Sequence, residues 1–395
     1  MAWTDLQSRA IRCVIMRGGT SKALFLREGD LPVDDGERDR VILALFGSPD
    51  KRQIDGLGGA DPLTSKLAII GPSRSGDADL TYTFAQVGIA EAVVDFRSLC
   101  GNISSAVGHY AVYEGLIPCR EPLTVVRIYN TNLQRILRVE VPVRNGRPID
   151  TGDYAIPGVP GTGARIQLDL AETAGGATGR LLPTGNPIDV LHVDGVGDIE
   201  ASLVDIGNAH VFVRAKDLGL QGTETPDVID ADRELRDRLE RIRGAGAFRM
   251  GMITSPDRSQ SESPATPIIG VVAPPTGYRS YLTQEQISAE DVDLVARLMY
   301  MQVTHKTYAG TSTACTGVAA RIPGTVVHEA LPPLAHERLA IRIGHPAGVV
   351  VTESAAQVTE GGYRVLRSTL GRTARRLMEG YAFLPQGTCE GRTSA

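Results

Sequence analysis

One order of elements occurs twice along this chain, and that duplication limits its possible folds more than any single motif does. An apolar run from Ile11 to Met16, a turn at Gly18-Gly19 and a second run from Ala23 to Leu26, closing on Asp30-Leu31, read as strand, turn, strand. After Arg180-Leu-Leu-Pro183 the order returns as Ser202 to Ile206, a turn at Gly207-Asn208, Val211 to Val213, then Asp217-Leu218. A helix follows each time, over Asp35 to Phe46 and over Asp230 to Ile242, where Leu235, Leu239 and Ile242 keep helical spacing. Lys66 to Ile70 and Pro267 to Val272 are the next strands. Each half then reaches a helix begun by small polar residues, Gly101-Asn102-Ile103-Ser104-Ser105 and Gly310-Thr311-Ser312-Thr313. Each closes on a hairpin, Leu123 to Tyr129 with Arg135 to Val141, and Leu339 to Ile343 with Gly348 to Thr352.

The late helices, Asn102 to Leu116 and Ser312 to Ile322, carry almost no charge, so they are buried on most sides. A strand-rich chain with one buried helix per half implies an α+β architecture in which each sheet curls around its own helix. Two domains are expected, 1–183 and 184–395, with the last residues packing back on the first. The helix N-termini then aim at a shared cleft, where their free N–H groups form an anion site.

Composition removes several function classes. Lys and Arg total 41 against 46 Asp and Glu, a net charge of −5 with no long block of either sign, so nucleic acid is not an expected partner. No apolar stretch approaches the ~18 residues of a membrane helix, and Met1 to Gln7 lacks a basic region followed by an apolar one. A soluble, unprocessed protein is expected. The 5 cysteines are scattered, which implies a reducing compartment, the cytoplasm. CxxC, HExxH and GxSxG are absent, the Gly18-to-Lys22 segment lacks Walker spacing, and no GxGxxG opens a helix. No metal and no cofactor is expected, and ordinary side chains must do the chemistry.

Two residues stand out. Cys100 directly precedes the first buried helix, where a helix N-terminus lowers a thiol pKa from about 8.5 and supplies a usable base. Lys66 lies between the polar turn Asp61 to Ser65 and the apolar run Leu67 to Ile70, where burial lowers an amine from about 10.4 toward acid–base duty. Cys315 falls about one turn inside its helix and reads as a core thiol; Cys13, Cys119 and Cys389 read as inert. The turn Arg17, Gly19, Thr20, Ser21 and Lys22 offers cations, hydroxyls and open N–H groups for carboxylates. Ser65, Gly101, Asn102, Ser104, Asn186, Asn208, Arg249, Lys306, Gly310, Thr311 and His345 complete the substrate-binding candidates, an excess of polar and basic groups beside glycines that points to a small polyanion.

Met16 to Lys22, Gln53 to Lys66, Cys100-Gly-Asn102 with Val107-Gly108, Pro183 to Asn186, Arg249-Met-Gly251, Ile322 to Thr325 and Gly344 to Gly348 together resemble the PrpF-like isomerases across nearly the whole chain. That family includes methylitaconate, aconitate and 4-oxalomesaconate isomerases. The resemblance implies the diaminopimelate epimerase fold of two similar β-barrels around central helices, an interdomain site, and cofactor-independent proton transfer between carbons of an unsaturated di- or tricarboxylate. It places the family's catalytic lysine and cysteine on Lys66 and Cys100, and a homodimer is expected.

Within the family, the Asp61-Pro62-Leu63 run looks more like the oxalomesaconate branch, which implies 1,3-allylic isomerisation of 4-oxalomesaconate in aromatic-acid (protocatechuate, gallate or lignin) degradation. Cys100 is read as base and Lys66 as acid. The alternatives are a methylitaconate or aconitate isomerase with the same machinery, a two-thiol racemase using Cys315, and a non-catalytic small-acid binder.

Overall fold

The computed structural model describes residues 10–74, 76–385 and 388; Met1 to Gln7 and Cys389 lie outside them. In chain order the longer elements of the first half are β1 (Ala10–Gly18), β2 (Ser21–Arg27), α1 (Asp35–Phe46), β3 (Lys66–Pro72), β4 (Leu80–Val87), α2 (Gly101–Tyr113), β5 (Leu123–Asn130), β6 (Arg135–Arg144) and β7 (Ile166–Asp169). The second half supplies β8 (Asp189–Val193), β9 (Gly197–Ile206), β10 (Asn208–Arg214), α3 (Arg233–Arg249), β11 (Ile268–Ala273), β12 (Leu294–Tyr300), α4 (Gly310–Ala319), β13 (Ala340–His345), β14 (Gly348–Thr359), β15 (Gly362–Arg372) and β16 (Ala374–Phe383).

The duplication is borne out strand by strand. From β1 to β7 successive partners run antiparallel, parallel, antiparallel, parallel, antiparallel, antiparallel. From β9 to β15 the same six relations follow in the same order. One further antiparallel strand flanks each set, β16 on β1 and β8 on β9. Strand β15 also pairs with β7, joining the halves through hydrogen bonds, and β16 carries the C-terminal segment back onto the first half.

Each curled sheet has an inside and an outside. Within the first, Ile103, Ala106, Val107 and Tyr110 of α2 pack on Phe25, Tyr82, Val126 and Val139; within the second, Cys315, Val318 and Ala319 of α4 pack on Val204, Phe212, Leu298 and Ile341. Each fully buried aliphatic side chain contributes about 1.5–3 kcal/mol, which keeps these nearly uncharged helices in place. Outside, α1 covers Leu24, Leu67 and Ala85, while α3 covers Leu203, Val211 and Ile269.

Local chemistry sets the helix ends. Asp34 accepts from the Glu37 N–H at the start of α1, and Gly47 (φ 72°) ends it, giving the expected bounds. The expected helix over 230–242 begins instead at Arg233, because the Asp232 carboxylate caps the Leu235 N–H, and it runs on to Arg249. A Cβ on Gly244 would lie 2.2 Å from Pro256 O, so glycine lets the following loop pack against the helix there. The central helices start at Gly101 and Gly310, one and two residues before the expected starts.

Candidate active site

The two central helices meet head to head. A Cβ on Gly101 would lie 2.9 Å from the Thr311 N, and one on Gly310 would lie 3.0 Å from the Asn102 N. Only glycine permits this approach, and it brings two sets of free N–H groups to one place. A small cavity there is lined by Lys66, Cys100, Gly101, Asn102, Asn208 and Thr311, among others.

Cys100 occupies the N-cap position of α2, with no side-chain cap bond, and is 8% exposed. Its approach is held from the other half of the molecule. Asn208 accepts from the Leu99 N–H at 2.7 Å and donates to Leu99 O at 2.8 Å, while also donating to the Thr311 hydroxyl at 3.2 Å. Lys66, at the start of β3, is 3% exposed, with its ammonium over the rings of Phe84 (5.3 Å) and Tyr300 (5.2 Å). Burial pushes the Lys66 amine below its ordinary value, opposed by the nearby Cys100 and Asp61.

Asn102 donates to Thr20 Oγ1 at 3.0 Å and Ser21 Oγ at 3.4 Å, and accepts from Arg372 Nε at 2.9 Å. Arg372 is fully buried without a carboxylate partner among the described residues, and burial lowers its guanidinium to about 10. His305, also on the cavity wall, is lowered to about 4, first by burial and then by Lys66, so it is neutral at ordinary pH. Its Nδ1 accepts from the Thr307 N–H at 3.2 Å, which fixes the proton on Nε2. Lys66, the neutral His305 and the two helix starts on this wall suit an anion.

Other candidates are placed differently. Asn186 and Arg249 gather on Asp189, at 3.3 and 3.4 Å, and Arg249 faces a larger separate cleft lined by Val190, Arg241 and Phe248. That cleft is lined by neither cysteine nor lysine. His345 is not a cation: burial, with Arg297 next, holds it well below its usual range, and its Nδ1 accepts from the Ala347 N–H. Lys306 pairs with Asp61 at 3.1 Å, and Arg17 is spent on Gly19 O and Thr373. The Gly18-Gly19 turn does not offer an open row of N–H groups. Gly19 N–H donates to Thr373 O, and a Cβ on Gly18 or Gly19 would lie 2.3 Å from Asn102 O or Oδ1 respectively, so these glycines serve contact with α2. The hydroxyls of Ser65 and Ser104 donate to Gln53 Oε1 and Cys100 O. Lys22, opposite Arg17 in the β1–β2 register, is half-buried. Cys315 is sealed in the second core, its thiol pushed up well above its usual value by burial and directed to Val204 O at 3.6 Å. No group of three or more His, Cys, Asp or Glu able to hold a metal ion occurs among the described residues.

Residues 8–385 match the family described as PrpF protein. The chain belongs to the PrpF family. Over 374 residues this PrpF protein is 54% identical to the 3-methylitaconate isomerase of Eubacterium barkeri, covering 95% of this chain and 97% of that one. To the (4E)-oxalomesaconate Delta-isomerase of Novosphingobium sp. (strain KA1) it is 35% identical, covering 94% and 97%. Among solved structures it superposes on a methylitaconate-delta-isomerase with TM-score 0.80 and 52% identity, covering 98% of each chain. A hydroxyproline epimerase from Agrobacterium vitis, at 13% identity and TM-score 0.58 over 98% and 96%, shares the fold. The α+β, diaminopimelate epimerase-like architecture and the isomerase class stand on these matches. This PrpF protein has no helix, among the described residues, long and apolar enough to cross a membrane.

Proposed function

We propose that the protein is a cofactor-independent allylic isomerase of a small unsaturated dicarboxylate of the 3-methylitaconate type, with Cys100 as base and Lys66 as acid. The observation that carries the roles is the cavity where these two side chains converge beside both helix N-termini. The choice of substrate rests on the 54% identity to the methylitaconate enzyme, against 35% to the oxalomesaconate enzyme. The Asp61-Pro62-Leu63 run, which favoured oxalomesaconate in the sequence, has partners within the protein: Asp61 pairs with Lys306, Pro62 O accepts from Gln86 and Leu63 O from the Lys22 N–H.

In such a substrate the labile hydrogen sits on the carbon bearing a methyl and a carboxylate, next to a methylene-substituted alkene carbon. The Cys100 thiolate removes that proton, the C–H electron pair enters the allylic system, and the double bond moves inward. The Lys66 ammonium then protonates the terminal methylene carbon, making a methyl group and leaving a thiol and an amine, which exchange one proton to reset. Negative charge grows on the carboxylate beside the deprotonated carbon. The Gly101 and Gly310 helix starts and the His305 Nε2–H are the groups that stabilise it, while buried Arg372 holds Asn102 behind them.

The test is proton NMR of the protein with 3-methylitaconate, 2-methylaconitate and 4-oxalomesaconate in deuterated water. Methylitaconate should turn over fastest, with deuterium in the new methyl group. Faster turnover of 4-oxalomesaconate would reverse the choice of substrate, and no turnover of any of the three would remove the assignment.

A further inference from the structure

Lys66 has one hydrogen-bond partner among the described residues. Its Nζ donates to Gln86 Oε1 at 2.6 Å, and the two residues face each other directly in the β3–β4 register. The Gln86 amide cannot turn over without loss, because its Nε2 donates to both Pro62 O and Ser65 O at 3.1 Å. Two carbonyls demand the NH2 end, so the oxygen end must face the lysine. That oxygen accepts a second bond at 2.9 Å from the hydroxyl of Tyr300, which ends β12 in the other half and lays its ring against the same ammonium. Gln86 is 1% exposed and lies in the otherwise apolar segment Phe84-Ala-Gln-Val87. A buried primary amide in a strand is costly unless every bond is made, and here they are made around one amine.

We propose that Gln86 is the positioning residue for the Lys66 amine, and that Tyr300, by sharing its oxygen, ties that position to the packing of the two halves against each other. The proposal rests on the reading of Lys66 as a proton carrier. The ionisable groups that face Lys66 are Cys100 at the start of α2, Asp61 in the preceding loop, Tyr300 on β12 and His305 beyond it. None of them occupies the Gln86 place.

The chain has five lysines (Lys22, Lys51, Lys66, Lys216 and Lys306), so 13C labelling at lysine Cε gives few signals, and the Lys66 signal is the one lost in Lys66→Met. Its titration midpoint is followed in the intact protein, in Gln86→Glu, Gln86→Met and Tyr300→Phe, alongside kcat, KM and melting. Gln86→Glu puts a carboxylate on the ammonium and should raise the midpoint by roughly 1 unit or more, while Gln86→Met removes the acceptor and should lower it. In both, kcat should fall about 10–100-fold with little change in KM, and the alkaline limb of kcat should follow the midpoint. Tyr300→Phe leaves the Gln86 oxygen wholly to Lys66 and should raise the midpoint by about a few tenths of a unit.

An unmoved midpoint in folded Gln86 variants overturns the proposal, even if kcat falls, because that is the result of a merely structural amide. If neither Gln86 variant folds, the Tyr300→Phe titration decides: an unmoved midpoint with unchanged kcat overturns it. If Lys66→Met keeps full turnover, the functional reading fails by itself, since the NMR titration reports on Gln86 without any catalysis.

Discussion

The two halves share a strand-pairing order and a glycine-started central helix, yet they differ at both ends of that helix. Before Gly101 stands Cys100; before Gly310 stands Ala309. The second half does contain a thiol, but Cys315 is the sixth residue of its helix and points into the core toward Val204 O. At the far ends, α2 finishes on Glu114, gripped by Arg12, Arg27 and Arg376, whereas α4 runs into Arg321, which donates to the carbonyls of Ser354 and Ala335. The repeated part, two abutting helix starts, supplies a place for an anion. The unrepeated side chains decide what happens there. A racemase built on this frame would need a base at each helix start, and position 309 offers a methyl group, so the proposed mechanism takes its second proton carrier, Lys66, from β3.

The largest effect should separate the two cysteines. Cys100→Ser should cut turnover by about a thousandfold or more, since a hydroxyl is not ionised at neutral pH and general-base removal is worth about 10²–10⁴ on its own. Cys315→Ser should leave turnover nearly unchanged and cost about 1 kcal/mol in stability, because a hydroxyl in the same core can still use Val204 O. Steady-state rates and urea melts of both variants test this. Loss of activity in the folded Cys315→Ser protein would restore a two-thiol mechanism.

A smaller effect concerns pH. Burial pushes the Lys66 amine down, with Cys100 and Asp61 pushing back. An acid must hold its proton to deliver it, so activity falls as pH rises through the Lys66 pKa, and the alkaline limb of kcat should lie below the ~10.4 of a free lysine. Lys66→Arg should move that limb to higher pH and remove most of the rate, because a guanidinium in the same place holds its proton more tightly than an amine. A limb at or above the free-lysine value would place Lys66 outside proton transfer.

How much of this was legible in the sequence depends on the range of the signal. The helix over Asp35 to Phe46 was legible with its bounds, and the small polar run after Cys100 announced a helix start. Apolar spacing supported two equivalent halves, because each of these is a local pattern. Gln86 gave only the weak signal of one amide in an apolar strand, and its meaning depends on Lys66 twenty residues away and on Tyr300 in the other half. Arg372 reaches Asn102 across 270 residues, and no local pattern records that contact. His345 and Arg17 were read as grips for carboxylate because composition cannot report burial or prior hydrogen bonding. Asn186 and Arg249, sharing Asp189 away from the cavity, show the same loss of information.

The smallest expected effect comes from the far ends of the helices. Glu114 works against the helix dipole at a C-terminus, and it persists because three arginines from β1, β2 and β16 surround it. Despite the desolvation that opposes this, hydrogen bonds from Arg12 and Arg376 hold its carboxyl down at about 2, against 4.5. A folded pKa below the unfolded one gives stability that is present above about pH 4.5 and is lost as pH falls toward about 2. The full shift corresponds to about 3 kcal/mol, and solvent screening of a partly accessible site leaves about 1–2 kcal/mol. Glu114→Gln should therefore lower the melting temperature at neutral pH and flatten the acid limb of the stability curve. Arg321→Met should destabilise through lost carbonyl partners, about equally at pH 3 and pH 7. Equal acid sensitivity in the two variants would mean that the helix ends do not differ as their charges indicate.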